Sequence, residues 1–162
     1  MMSRYLTSVV MVLYCSAAYA QEFPKEGSAA YTTSYVNISA TPMKMGERTV
    51  SIYESAGITR NDAGDAPFND MGTRCLGMRE ITGSDVVNRG SCIDTDKDGD
   101  QVFSTFEANS KSGKHVFVGG TGKYQGITGS ADYTFQAMKV PEGARPMVLV
   151  PHKATWKIQG KS

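Results

Sequence analysis

From Ala30 onward the chain repeats one pattern: short runs in which apolar or aromatic positions alternate with polar ones, separated by clusters of Gly, Asp, Asn, Ser and Pro. A side-chain period of two marks a strand with one buried face, and no stretch carries the 3.6-residue period of an amphipathic helix. The runs predict strands at Ala30 to Ser39, Arg48 to Ser55, Met71 to Ile81, Val86 to Ile93, Val102 to Ala108, His115 to Gly119, Ala131 to Met138 and Met147 to Ile158. Eight strands joined mostly by short turns predict an all-β fold, an eight-stranded antiparallel up-and-down β-barrel, because closure leaves no edge strand exposed. A two-sheet sandwich is the structural alternative. The polar stretch Gly57 to Pro67 reads as the longest loop.

The first twenty residues follow a different pattern. Met1 to Arg4 is a short cationic start, Leu6 to Tyr14 is mostly apolar, and Ala18-Tyr19-Ala20 places small residues where a signal peptidase reads. A membrane span needs about 20 predominantly apolar residues, and this stretch is too short. Residues 1–20 therefore read as a secretory signal and 21–162 as a single β-barrel domain, destined for the periplasm or the medium. Removing the signal takes away Arg4 and no acid, so sixteen basic residues face sixteen acidic ones. A neutral chain has no electrostatic basis for nucleic acid as a main partner, and the mature part offers no membrane-spanning helix.

Export also changes the reading of the cysteines. Cys75 and Cys92 remain after cleavage, and they are symmetric about the Gly83-Ser84 junction within a Thr82-Gly83-Ser84-Asp85 turn. In an antiparallel hairpin with that centre they face each other directly, so an oxidising compartment favours a Cys75–Cys92 disulfide over two buried thiols. Asp94, Asp96, Asp98 and Asp100 alternate ahead of and around Gly99 in the manner of the first half of a calcium loop. The position of the bidentate glutamate is Thr105, so a polar hairpin is the plainer explanation and a surface cation site the other. Five glycines within Gly119 to Gly129 predict a tight, backbone-defined connection that shapes the mouth or closes an end. No spacing in it matches a phosphate loop, and no cofactor is indicated.

Phe117-Val118-Gly119-Gly120-Thr121-Gly122-Lys123-Tyr124, with the glycine cluster and strand behind it, resembles the GGTGKY/F signature of the allene oxide cyclase and dirigent barrel superfamily. The hairpin Asp96 to Asp100 followed by Val102-Phe103-Ser104, and the closing run His152-Lys153-Ala154-Thr155-Trp156, are similar to small exported bacterial members of that group. The resemblance covers most of the region from about Met71 to Ile158 and implies an allene oxide cyclase-like barrel, commonly trimeric in the plant members, whose cavity binds or steers hydrophobic small molecules. The plant enzymes' catalytic residues find no matching motif here, so none is carried over.

Strand alternation nominates the lumen. On the last strand His152, Ala154, Trp156 and Ile158 share the inward face, and the cysteine register puts Gly77, Asn88, Gly90, Ser104 and Phe106 inside as well. The first two strands leave two options. Either Tyr31, Tyr35 and Tyr53 line the lumen and Val36, Ile38, Val50 and Ile52 form an outer patch suited to subunit contact, or the aliphatics are core. Lumen candidates are Tyr31, Tyr35, Tyr53, Phe106, Tyr133, His152 and Trp156. His115 and His152 lack an acid at zinc or triad spacing, though either could act as acid or base beside Tyr133 or Glu107 if folding brings them together. The sequence thus predicts a barrel binding a hydrophobic or aromatic small molecule, possible as a homodimer or homotrimer. The alternatives are a cyclase or isomerase acting in the same cavity, and a structural oligomeric barrel with a filled core. A pair of titratable groups facing the cavity would favour the enzyme, a dry aromatic cavity binding, and a packed interior neither.

Overall fold

The computed structural model describes residues 23–64 and 67–159; the predicted signal segment lies outside them. Nine strands follow in order: β1 (Glu26–Met45), β2 (Arg48–Asn61), β3 (Met71–Thr82), β4 (Asp85–Thr95), β5 (Gln101–Ala108), β6 (Ser112–Gly120), β7 (Ile127–Thr134), the two-residue β8 (Gln136–Ala137) and β9 (Met147–Ile158). Every neighbouring pair is antiparallel, and β9 pairs with both β7 and β1. That double pairing closes an eight-stranded barrel. β8 only prolongs the β7 edge beyond Phe135, meeting Val148 and Leu149 of β9.

The cysteine register is as predicted: Cys75 is directly opposite Cys92 and the two are joined by a disulfide. Gly83, with φ +58°, supplies the left-handed backbone that the two-residue turn between them demands. Among the strand boundaries that differ from expectation, three reshape the barrel. β1 runs on to Met45 because its far half keeps pairing with β2 after a bulge at Ile38. The seventh strand begins at Ile127 and is interrupted after Thr134.

The third difference corrects the longest loop. Gly57 to Asn61 belong to β2, with β1 on one side and β3 on the other through Thr59. Polarity there does not signal solvent: the buried Thr59 hydroxyl lies 2.7 Å from Thr33 and 2.8 Å from Thr73, satisfying itself across three strands. Beyond that loop, Pro67 and Phe68 turn back into the barrel. Asn61 holds Pro67, its Nδ2 donating to the Pro67 carbonyl at 2.7 Å, and Phe68 inserts between Tyr31, Phe117 and Trp156. At the same end the 3-10 turn Gly122–Tyr124 buries Tyr124, against which Phe23 packs edge-on. The glycine-rich connection therefore closes this end.

The ambiguity of the first two strands is resolved by burial: Tyr53 is 8% exposed and its neighbour Ile52 68%. Tyr31, Tyr35 and Tyr53 point inward, and Ile38, Ile52, Ile58, Leu76 and Ile93 stand on the outer wall. Room for the rings comes from glycine. Tyr35 is register-paired with Gly57, Tyr53 with Gly77, Phe106 with Gly90, Tyr133 with Gly113 and Trp156 with Gly27. In each pair a Cβ on the glycine would meet the ring, the device by which a flat aromatic covers a strand glycine. At Gly90 it would also fall on the Leu76 carbonyl oxygen, backbone that cannot retreat without opening the β3–β4 ladder. Gly90→Ala is therefore expected to destabilise the barrel by about 1–3 kcal/mol, as overpacking does. Urea unfolding would show it, and an unchanged midpoint would refute this packing.

Candidate functional site

The two ends of the barrel differ. At the closed end Tyr31, Phe68, Met71, Val102, Tyr124 and Trp156 belong to one packed cluster. Toward the hairpin ends of β1–β2, β3–β4 and β5–β6 the interior opens into an inner chamber of about 90 Å³, walled by Tyr35, Tyr53, Phe106, His115, Tyr133 and the Cys75–Cys92 disulfide. It continues into a vestibule of about 410 Å³ bounded by Asn37, Arg79, Asn88, Asn109, Phe135 and Met147. Neither lining contains a carboxylate, and Arg79 is the one permanently charged residue in either.

Strand alternation accounts for each polar group. On β3, Thr73, Cys75, Gly77 and Arg79 share the inner face, so the residue at the rim of that face is an arginine. Its guanidinium stands 5.3 Å from the centre of the Tyr53 ring. Tyr53 donates its hydroxyl to Asn88 Oδ1 at 2.7 Å, across β3 to β4. On β6, His115 faces in, its Nδ1 3.1 Å from the Ser104 hydroxyl. Its ring centre is 4.9 Å from Tyr133, 5.4 Å from His152 and 5.5 Å from Phe106. His152 in turn stacks on Tyr31 at 4.4 Å, and its buried Nδ1 has no hydrogen-bond partner.

Burial dominates the electrostatics. It lowers the His115 pKa to about 4, and burial followed by repulsion from His115 lowers His152 to about 3. Both imidazoles are neutral at pH 7. Burial likewise holds the Tyr133 phenol well above its ordinary value, with Tyr53 adding to the effect. Between chamber and plug, Thr73 donates to Asp94 Oδ1 at 2.5 Å and continues the hydroxyl row of Thr59 and Thr33. Burial raises Asp94 to about 6, opposed by that hydrogen bond.

All seven lumen candidates lie on the inner face. Tyr35, Tyr53, Phe106 and Tyr133 line the chamber, whereas Tyr31 and Trp156 pack in the closed-end cluster and His152 is buried between Tyr31, His115 and Tyr133. Sequence reasoning did not foresee Arg79, Phe135, Val148 or Val150 as lining. The strand parity of Cys75 reaches Arg79, and that signal was available. The four aspartates separate. Asp94 turns inward, while Asp96, Asp98 and Asp100 gather around the Lys123 ammonium at 2.6, 2.7 and 3.8 Å. Burial works to raise Asp96, but hydrogen bonds from Lys123 and from the Asp98 and Asp100 amides outweigh it and hold its carboxyl below the usual range. A lysine 23 residues on from Asp100 thus supplies their counter-charge, and no metal-holding set of three or more His, Cys, Asp or Glu occurs among the described residues.

No family model and no curated protein matches the chain. Among solved structures it is similar to the pterocarpan synthase dirigent protein GePTS1, with 12% identity over 86% of this chain and 90% of that one and a TM-score of 0.52. The barrel has the dirigent-protein fold. An identity this low carries the architecture alone; what the dirigent-like barrel does has to be argued from its own chamber.

Proposed function

We propose that this chain is an exported dirigent-like barrel that binds an aromatic or otherwise hydrophobic small molecule in its lumen without turning it over. The observation that carries the reading is the chamber itself: an aromatic-walled opening above a solidly plugged base, with a few convergent polar groups. A purely structural barrel would be filled from end to end.

One observation favours the cyclase or isomerase reading. His115 and Tyr133 both face the chamber with their rings 4.9 Å apart, the kind of titratable pair an acid–base mechanism uses. The electrostatics weigh on the side of binding. A base with pKa about 4 and a phenol held above its normal value sit on opposite sides of neutrality, far from the match that makes proton transfer efficient near pH 7. Neutral histidine and protonated tyrosine are good hydrogen-bonding partners for a bound molecule. The Cys75–Cys92 disulfide is compatible with export, and the aliphatic outer wall supports a second copy of the chain as partner.

Native mass spectrometry of the exported protein, prepared in the presence of an extract of its source, tests the ligand and the assembly together. The expected spectrum shows a multiple of the chain mass carrying one small organic molecule per barrel, released unaltered on denaturation. A chemically converted molecule would favour the enzyme, and a persistently bare barrel would reject the binding reading.

A further inference from the structure

The chamber and its vestibule differ sharply in chemistry. The inner walls are rings, a disulfide and neutral imidazole; the rim carries donors. Arg79 points along the inner face of β3 into the opening and forms no ion pair among the described residues, its one ring contact being the face of Tyr53. Asn88 has its Oδ1 occupied by the Tyr53 hydroxyl, which leaves the amide Nδ2 hydrogens as what it offers the vestibule. Arg145 lies close by, donating to the carbonyls of Asn37 and Ile38 at the β1 bulge, and Asn37 is itself a vestibule residue. Against these cations and donors neither lining sets a single Asp or Glu. An uncompensated guanidinium over an apolar chamber attracts anions and repels cations.

Resting on the binding reading above, we infer that the ligand is an aryl carboxylate, its ring held in the inner chamber between Phe106, His115 and Tyr133 and its carboxylate paired with Arg79 and Asn88 at the rim. The geometry sets both ends. A chamber of about 90 Å³ is small beside the 300 Å³ or more of a drug-sized pocket, so it takes one ring rather than a fused system. The planar fork of Arg79 matches the two oxygens of a carboxylate. Stacking on Tyr53 limits the orientations of that fork before the ligand arrives, which lowers the entropy lost on binding.

The test compares near-isosteres that keep the ring and replace the anion by a neutral amide: benzoate with benzamide and cinnamate with cinnamamide, titrated by calorimetry into the exported protein, into Arg79→Gln and into Arg79→Lys. The native barrel is expected to prefer each carboxylate by about tenfold, a figure reduced for the solvent exposure of Arg79. Raising the salt from 50 to 500 mM should narrow that preference. Arg79→Gln should abolish it, with a urea midpoint like that of the native protein showing that the variant is folded; Arg79→Lys should retain part of it. Equal binding of acid and amide, or a preference that survives in Arg79→Gln, overturns the assignment of the anion and leaves the binding reading standing. Failure of all four compounds to bind the native protein overturns the aryl carboxylate assignment, ring and anion alike, and leaves the wider binding reading to the native mass spectrometry described above.

Discussion

Acidification from pH 7 to pH 4 is expected to remove a large share of the stability of this barrel, because its interior is built around two histidines that must stay neutral. In the unfolded chain both imidazoles take up a proton near pH 6.5, whereas in the folded barrel burial delays protonation to about pH 4 for His115 and about pH 3 for His152. A depressed histidine pKa costs nothing above pH 6.5. Below it the unfolded state binds more protons, so stability falls with pH until the folded pKa is reached. At pH 4 the loss is on the order of 3 kcal/mol for each histidine. Asp94 acts in the opposite sense: its folded pKa is raised to about 6, so the folded state takes the proton first and stability rises as pH falls from about 6 toward 3.8. That returns roughly 2–3 kcal/mol at pH 4. The net loss, on the order of 4 kcal/mol, is a large share of the 5–15 kcal/mol typical of a domain. Urea unfolding at half-unit pH intervals should follow this slope, and Asp94→Asn should steepen it. A profile flat between pH 6.5 and 4.5 would sink the account.

Loss of the disulfide is expected to have the next largest effect. Cys75 and Cys92 are 17 residues apart and close the β3–β4 hairpin. Freeing a loop of that length restores conformational freedom to the unfolded chain equivalent to about 3 kcal/mol. The replacement matters locally too, since both sulfurs form part of the chamber wall beside Tyr35, Tyr53 and Phe106. Cys75→Ser with Cys92→Ser should therefore lower the urea midpoint and weaken ligand binding together. Cys75→Ala with Cys92→Ala, which adds no polar atoms to the wall, should lower the midpoint with less effect on binding. A double alanine variant as stable as the native protein would show that the crosslink contributes little.

Much of the architecture was legible because a β-barrel writes its packing at period two. Alternation located the strands, the symmetry of Cys75 and Cys92 fixed one register, and that register carried the inner face across to Ser104 and Phe106. The inner face of β9 was read correctly from charge alternation at Lys153 and Lys157. Where both faces of a strand are uncharged, as at Tyr31 to Ile38, the pattern does not say which is inside; the glycines opposite the rings decide it, and they lie on neighbouring strands. The tail of β2 was misread because inward threonines look polar in isolation and become satisfied only when Thr33, Thr59 and Thr73 meet. Lys123 among Asp96, Asp98 and Asp100, and the neutrality of His115 and His152, are likewise products of closure that no local stretch contains.

The five ring-on-glycine partnerships bear on how such a lumen can change. In each, the space above two adjacent strands is shared between one large side chain and one hydrogen atom, so the combined volume of the two positions is what the wall constrains. Gly77 and Gly90 are opposite each other, with Tyr53 leaning in from one flank and Phe106 from the other, and the four form a continuous row across β2 to β5. A ring can be handed to the other member of its pair only by two simultaneous substitutions, because either alone leaves a void or a clash. The shape of the chamber is therefore inherited in coupled steps, and single substitutions are channelled to the rim, where they alter the groups offered to the opening and leave the five ring-and-glycine pairs their shared volume.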